Sequence, residues 1–239
     1  MKPSDYFDGK SLKLVEAASK GDASEVARLI EEGADPNKFG KQDMIPLAWT
    51  AFFAKNKKGV KALLEHGANP NLRFRQDMTP LFLAVKEKDS DYLRIFLEHG
   101  GNPNARVSNV HLLLVAADND HWEHMRLLID HGADINYRDS VDNTLIYNLT
   151  LTNDYEQVYY LLQRGADYSI KTYVGDSAIH RIFNAKVDKG AEAYPWLQKC
   201  REWLIARGVK NPGPFQRSKE ELEQRDQRVL ERLKSKKKP

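Results

Sequence analysis

A single cysteine, Cys200, stands in a chain of 239 residues, which excludes an internal disulfide framework and leaves the compartment open. No run approaches the roughly 18 consecutive apolar residues of a membrane span. The opening Met1-Lys2-Pro3-Ser4-Asp5-Tyr6 has no hydrophobic region and is not read as a signal peptide. The expectation is therefore a cytoplasmic protein, or a periplasmic one if a cleaved signal precedes this sequence. Charge of one sign is also lacking. Of the net +3, residues 217–239 supply nine Lys/Arg against five Asp/Glu, so the rest sits near −1. A neutral body with a basic tail offers no broad footprint for nucleic acid.

Catalytic signatures are missing too. There is no Gly-x-Ser-x-Gly, no phosphate-cradling glycine loop and no HExxH helix. Cys200 lies among Trp196, Leu197 and Trp203 at helical spacing and reads as a small core residue. The sequon Asn148-Leu149-Thr150 falls inside a predicted helix and is read as chance. No catalytic residue, cofactor or metal is expected, and the chain is not read as an enzyme.

What the chain has is repetition. Leu63-Leu64-Glu65-His66-Gly67-Ala68-Asn69-Pro70-Asn71 is a helix end, a glycine stop and an Asx/Pro turn. Gly33-Ala34-Asp35-Pro36-Asn37 precedes it, and the pattern returns at Gly100, Gly132 and Gly165, at intervals of 34, 33, 32 and 33 residues. A period near 33 is the signature of stacked repeats. Each unit holds two short amphipathic patterns, as in Leu12–Ala18 and Val26–Ile30, broken at Gly21-Asp22. In the third unit Thr79 is placed to cap a helix that opens on Pro80, and Tyr92, Leu93, Ile95, Phe96 and Leu97 make its second helix.

With Thr-Pro-Leu opening and Leu-x-x-Gly-x-x-x-Asn closing, these units resemble ankyrin repeats over about residues 9–212. The resemblance implies an all-α solenoid of about six helix-turn-helix repeats with projecting finger loops, atypical at both ends, over residues 1–212. Openings drift toward the C-terminus: His111-Leu112-Leu113-Leu114, then Thr144-Leu145-Ile146-Tyr147, then Ser177-Ala178-Ile179-His180. The sixth unit carries roughly ten extra residues before Trp196, including Gly190 and Pro195, so a long loop between its helices is predicted. Residues 213–239 are predicted to form a charged capping helix, with Leu222, Val229, Leu230 and Leu233 as its docking stripe, and a frayed basic tail.

Laying the repeats in register exposes the candidate binding residues. Six residues beyond each stop glycine stand Phe39, Arg73, Arg106, Arg138 and Lys171. The resemblance places these on the finger loops along the inner side, with Phe74, Arg75, Tyr137 and Tyr173 flanking them. On the first helices it marks Trp49, Leu83, Val115, Asn148 and Arg181, with Phe52 and Phe53 nearby. Four cations in five positions imply a protein partner with an acidic surface. His66, His99 and His131 precede three of the stop glycines; successive repeats hold them about 8–10 Å apart, too far to share a metal. His121 and His124, near Asp118 and Asp120, match no closed zinc spacing and are read as a solvated helix start.

The run Pro3-Ser4-Asp5-Tyr6-Phe7-x-Gly9 resembles the start of small bacterial ankyrin proteins that act as immunity partners of antibacterial toxins. Those toxins include phospholipase effectors delivered by type VI secretion. That resemblance implies an inhibitor, monomeric until it meets a toxin effector and blocking it by surface occupation. Two other readings stand beside it. One is an adaptor that tethers without inhibiting. The other is weak nucleic-acid or anionic-surface binding through the cations and Lys234, Lys236, Lys237 and Lys238.

Overall fold

The computed structural model describes residues 1–216, and within them the chain folds as two compact units, Met1–Ala133 and a second beginning at Asp134. The charged helix and tail expected beyond Ser218 lie outside the described residues. The first unit opens with a short 3-10 turn at Pro3–Asp5 and continues as four helix pairs: α1 (Gly9–Lys20) and α2 (Ala23–Glu31), α3 (Pro46–Phe52) and α4 (Lys57–Glu65), α5 (Pro80–Lys86) and α6 (Ser90–Glu98), α7 (Leu112–Asp118) and α8 (Trp122–Asp130). The second holds α9 (Leu145–Thr152) with α10 (Tyr155–Gln163) and α11 (Ala178–Asn184) with α12 (Ala193–Ile205). Six pairs match the repeat count. The predicted long loop of the sixth runs between α11 and α12, although Pro195 falls inside the first turn of α12 rather than before it.

Local chemistry sets the helix ends. Asp22, Asn56, Thr79 and Asp89 each accept a backbone N–H from the first turn of the helix they precede, satisfying donors that have no partner within the helix. His111 does the same work in the fourth repeat, where Thr-Pro is missing: its Nδ1 accepts from the Leu113 amide at 3.2 Å. At the other end every stop glycine is left-handed, as Gly67 shows with φ 92°. Each stop is then closed by an amide reaching back five residues: Ala34 to Leu29, Ala68 to Leu63, Gly101 to Phe96, Ala133 to Leu128 and Ala166 to Leu161, at 2.8–3.0 Å. His66, His99 and His131 turn Nδ1 onto the carbonyls of Ala62, Ile95 and Leu127 at 2.8, 2.8 and 2.9 Å. Their recurrence belongs to helix termination.

The fingers are short hairpins. Arg106–Val107 (β1) pairs antiparallel with Val110–His111 (β2), turning through Ser108 and Asn109, both at positive φ. Phe74 bridges to Met78, and Arg138 to Thr144. At the base of the fingers one asparagine joins neighbouring repeats. Asn37 Nδ2 donates to the Gly67 carbonyl at 2.8 Å while its Oδ1 accepts from the Asn69 amide at 2.8 Å. Asn71 repeats this with Gly100 and Asn102, at 2.9 and 2.7 Å. Asn104 Nδ2 reaches the Gly132 carbonyl at 3.0 Å, and Asn136 Oδ1 receives the Asp167 amide at 2.8 Å.

Within the first unit, α1 packs on α2, α3 and α4, α5 on α7, and α6 on α8, enclosing Leu14, Val15, Leu63, Leu81, Leu93, Phe96, Met125 and Leu128. The approach of α4 to α1 is closest at Gly59, where an added Cβ would lie 1.8 Å from the Ala18 carbonyl oxygen. In the second unit Arg201 of α12 donates Nε to the Ile182 carbonyl at 2.9 Å and Nη2 to those of Phe183 and Ala185, closing α11 and the start of its long loop. Cys200 is fully buried, and burial pushes its thiol up to about 12, so it stays protonated and unreactive near neutral pH.

His121 and His124 differ from the solvated helix start expected of them. His121 is half-buried with Nδ1 2.9 Å from the Val85 carbonyl oxygen, and His124 is only 2% exposed, its ring 4.9 Å from that of His121. The cause is α8 docking on α6, which carries this face of the helix inward. Neither ring nitrogen of His124 has a hydrogen-bond partner among the described residues. Burial holds His124 below its usual range, the neighbouring His121 adds to the effect, and Glu123 and Asp89 offset part of it.

Three stability predictions follow from this packing. Gly59→Ala raises helix propensity by about 1 kcal/mol, yet the backbone contact with Ala18 makes the change net destabilising by about 1–3 kcal/mol. Chemical denaturation decides the sign. Asn71→Ala removes two inter-repeat hydrogen bonds and lowers stability by about 1–3 kcal/mol, whereas an unchanged midpoint would mean the repeats do not depend on this joint. For His124, whose pKa is lowered on folding, stability is fully present above the unfolded value of about 6.5 and is lost as pH falls below it. Denaturation midpoints measured from neutral pH downward should drop more steeply for the wild-type chain than for His124→Leu, and parallel curves would refute the assignment.

Candidate functional site

The residues in finger register are brought to the hairpins, but their roles differ. Phe39 is 46% exposed, a large apolar ring left in solvent at the first finger. It shares a cleft of about 390 Å³ with Asp43, Arg73, Arg75, Gln76 and Asp77, and buried Phe74 forms part of its lining. Arg73 forms an ion pair with Asp77 in its own finger, and its Nη2 lies 3.4 Å from the Arg106 carbonyl oxygen in the next. Arg75 donates Nε to the Gln42 carbonyl at 3.0 Å and lies over the Tyr6 ring, 5.5 Å from its centroid. In the second unit Arg138 pairs with Asp142 at 2.8 Å and donates to the Lys171 carbonyl.

Arg73 and Arg138 thus each have an acidic partner four residues on, at the far side of the hairpin, and a carbonyl acceptor one repeat later. The pairs are exposed and contribute little stability, about 0–1 kcal/mol each. Their effect on the surface is larger, because Asp77 and Asp142 offset charge that the register alone assigns wholly to cations. Arg106 and Lys171 are exposed, as is Tyr173 at 48%, while Tyr137 is half-buried.

Several marked residues lie elsewhere. Phe74 is 5% exposed, its side chain folded under the hairpin that its backbone opens. Trp49 is 3% exposed because the N-terminal segment covers it: Phe7 meets it edge-on at 6.2 Å, Tyr6 lies 5.4 Å away, and Phe53 stacks at 5.0 Å. Phe52 is half-buried against Tyr92 and Phe96 of the next repeat, at 6.1 and 6.4 Å. Leu83 is half-buried. Trp49 and Phe74 are therefore core positions, with little surface of their own to offer. The first-helix position that does reach solvent is Arg181, its side chain 46% exposed beside a second cavity.

Sequence reading missed the acids. Asp77 and Asp142 fall in the same finger register as their arginines, at i+4, and that spacing was available as a signal. Asp176 gave no such signal. It is 3% exposed, and its role depends on Tyr147 and Arg181, brought to it from different helices. Among the described residues no group of three or more His, Cys, Asp or Glu side chains gathers as a metal site would require, and no helix is long and apolar enough to cross a membrane.

The family model for ankyrin repeats in three copies matches residues 14–107, and the model for the single ankyrin repeat matches residues 110–140. No curated protein matches the chain. Among solved structures, the ankyrin repeat domain of human ASB11 is 24% identical with a TM-score of 0.54, over 77% of this chain and 81% of that one. The ankyrin repeat domain of Bcl-3, described as a unique member of the IkappaB protein family, is 24% identical with a TM-score of 0.61, over 83% of this chain and 86% of that one. At that identity these two likenesses concern the fold alone. With helix pairs, left-handed glycine stops, hairpin fingers and family models that together span more than half of its length, the chain belongs to the ankyrin-repeat family.

Proposed function

We propose that this chain is a protein-binding module whose hairpin fingers carry the contact surface, and that it acts by occupying its partner rather than by chemistry. The observation that carries the reading is the cleft at the first two fingers of the Met1–Ala133 unit, where exposed Phe39 stands beside Arg73 and Arg75. Aromatic and arginine side chains together are the composition of interface hot spots. Both arginines are already held by bonds to neighbouring fingers, so less side-chain freedom is lost on binding. In the second unit Arg138, Lys171 and Tyr173 form the corresponding set, and Arg106 and Tyr137 extend the two sets.

The complement of this surface is a partner bearing carboxylates. Asp77 and Asp142 keep the attraction local, so it acts through register and hydrogen-bond direction more than through long-range steering. The Pro3–Gly9 run and its resemblance to small bacterial immunity proteins extend the reading to an inhibitor that covers a toxin effector, such as a phospholipase. The alternative is an adaptor that tethers its partner and leaves it active.

The test uses a partner captured by the wild-type chain and then measured in isolation. Phe39→Ala, and separately Arg73→Gln with Asp77→Asn, should each weaken binding by about 1–3 kcal/mol while circular dichroism and unfolding midpoint stay unchanged. Unchanged affinity in both would place the contact elsewhere. Stoichiometric addition of the chain to an activity assay of the partner then separates inhibitor from adaptor.

A further inference from the structure

The unit beginning at Asp134 holds a cavity of about 550 Å³ that the finger surface does not use, with Arg181 and Lys186 on its lining and Leu151 and Phe215 as apolar wall. Its size is that of a small-ligand pocket. What distinguishes it is how Arg181 is held. Asp176, with its side chain 4% exposed, accepts from Arg181 Nε at 2.7 Å. Tyr147 accepts from Arg181 Nη2 at 3.1 Å, and its own hydroxyl donates to Asp176 Oδ2 at 3.2 Å. The guanidinium also lies over the Tyr147 ring, 5.5 Å from the centroid. Two of its three nitrogens are therefore tied down, while the side chain stays 46% exposed and Nη1 has no partner among the described residues.

Charge decides what such a pocket takes. Arg181 is offset by buried Asp176, and His180 is engaged with Ser177 Oγ at 2.8 Å and with the edge of Phe215 at 5.5 Å. Lys186 is exposed and forms no ion pair among the described residues, leaving the lining with a surplus of one positive charge when His180 is neutral. One oriented guanidinium with one exposed ammonium and an apolar wall matches a monoanionic carboxylate on a short apolar body. A phosphate dianion would leave charge unmatched.

We propose that this cavity is a carboxylate-binding site, in which Arg181 supplies the oriented hydrogen bonds, Lys186 the second charge, and Leu151 and Phe215 the contact for the adjoining apolar group. Asp176 and Tyr147 are positioning residues that fix the guanidinium and do not touch the ligand. The site rests on geometry within this unit and stands whether or not the fingers bind a partner.

The experiment follows the Arg181 Nε–H and His180 ring signals of the full chain by NMR near neutral pH. The probes are the dipeptide Ac-Leu-Glu-NH2, its Gln counterpart, the monocarboxylate 4-methylpentanoate and inorganic phosphate. The Glu peptide or 4-methylpentanoate should give saturating shifts at both residues, and the Gln peptide should bind at least about tenfold more weakly, since one charge-assisted hydrogen bond is lost. Tighter binding of the peptide assigns the site to acidic side chains of a polypeptide; tighter binding of 4-methylpentanoate assigns it to a free carboxylate. Lys186→Gln, at an exposed position, should weaken the carboxylate without altering the unfolding midpoint, and Arg181→Lys, which keeps a cation beside Asp176 but loses the oriented donors, should weaken it further. Equal binding of Glu and Gln peptides, tighter binding of phosphate, no saturation with either carboxylate, or indifference to Lys186→Gln would overturn the proposal.

Discussion

One asparagine at the base of each of several fingers carries the register of this fold. Asn37 and Asn71 each donate to the carbonyl of the next stop glycine and accept from an amide two residues beyond it, so both ends of the carboxamide are used. A backbone carbonyl left over at a helix end and an amide at the start of a finger would otherwise need water or a side chain of their own. The Asx turn in front completes the joint, as where Asn71 donates its own amide to Asn69 Oδ1 at 2.9 Å. Three different residues thus agree on one spacing, and the hydrophobic faces of the helices meet in the register that spacing sets. Where Ser169 replaces the asparagine, the following repeat is held differently, through the Ile179 amide on the Tyr168 carbonyl and through Arg201 on the end of α11.

The same economy shapes the candidate surface. Arg73 and Arg138 reach from one finger to a carbonyl of the next, and each also meets an aspartate across its own hairpin. A side chain with five donors can serve the scaffold and still offer donors outward, which lysine cannot do with one compact ammonium. The fingers therefore present held cations and exposed rings, Phe39 and Tyr173, on backbone whose position is set by the repeats behind them. Arg181 follows the same logic in a different place: a buried acid and a tyrosine hydroxyl orient it, and a cavity receives what it presents.

Much of this was legible in the sequence, and the reason is locality. Stop glycines need a left-handed backbone, caps need an acceptor within three residues, and amphipathic helices need apolar residues at 3.6-residue spacing, so each leaves its mark in a short window. The site was legible only as a register. Counting six residues from each glycine found the finger positions, but neither that count nor the resemblance that marked Phe74 and Trp49 as binding residues could show that both are buried. Phe74 is 5% exposed at the start of a finger that bridges to Met78, and Trp49 is covered by Tyr6 and Phe7, some forty residues earlier in the chain.

By itself the sequence determined the repeat, the helix pairs, the punctuation between them and the long loop of the sixth unit, because all of these are settled by residues within one turn or one repeat of each other. Tertiary structure alone decided that Gly59 must stay small against Ala18, that His124 is enclosed without a hydrogen-bond partner among the described residues, and that Tyr147, Asp176 and Arg181 form one device. Burial and pairing are properties of what packs against a residue, and in a repeat protein that neighbour usually lies a whole repeat away in the chain.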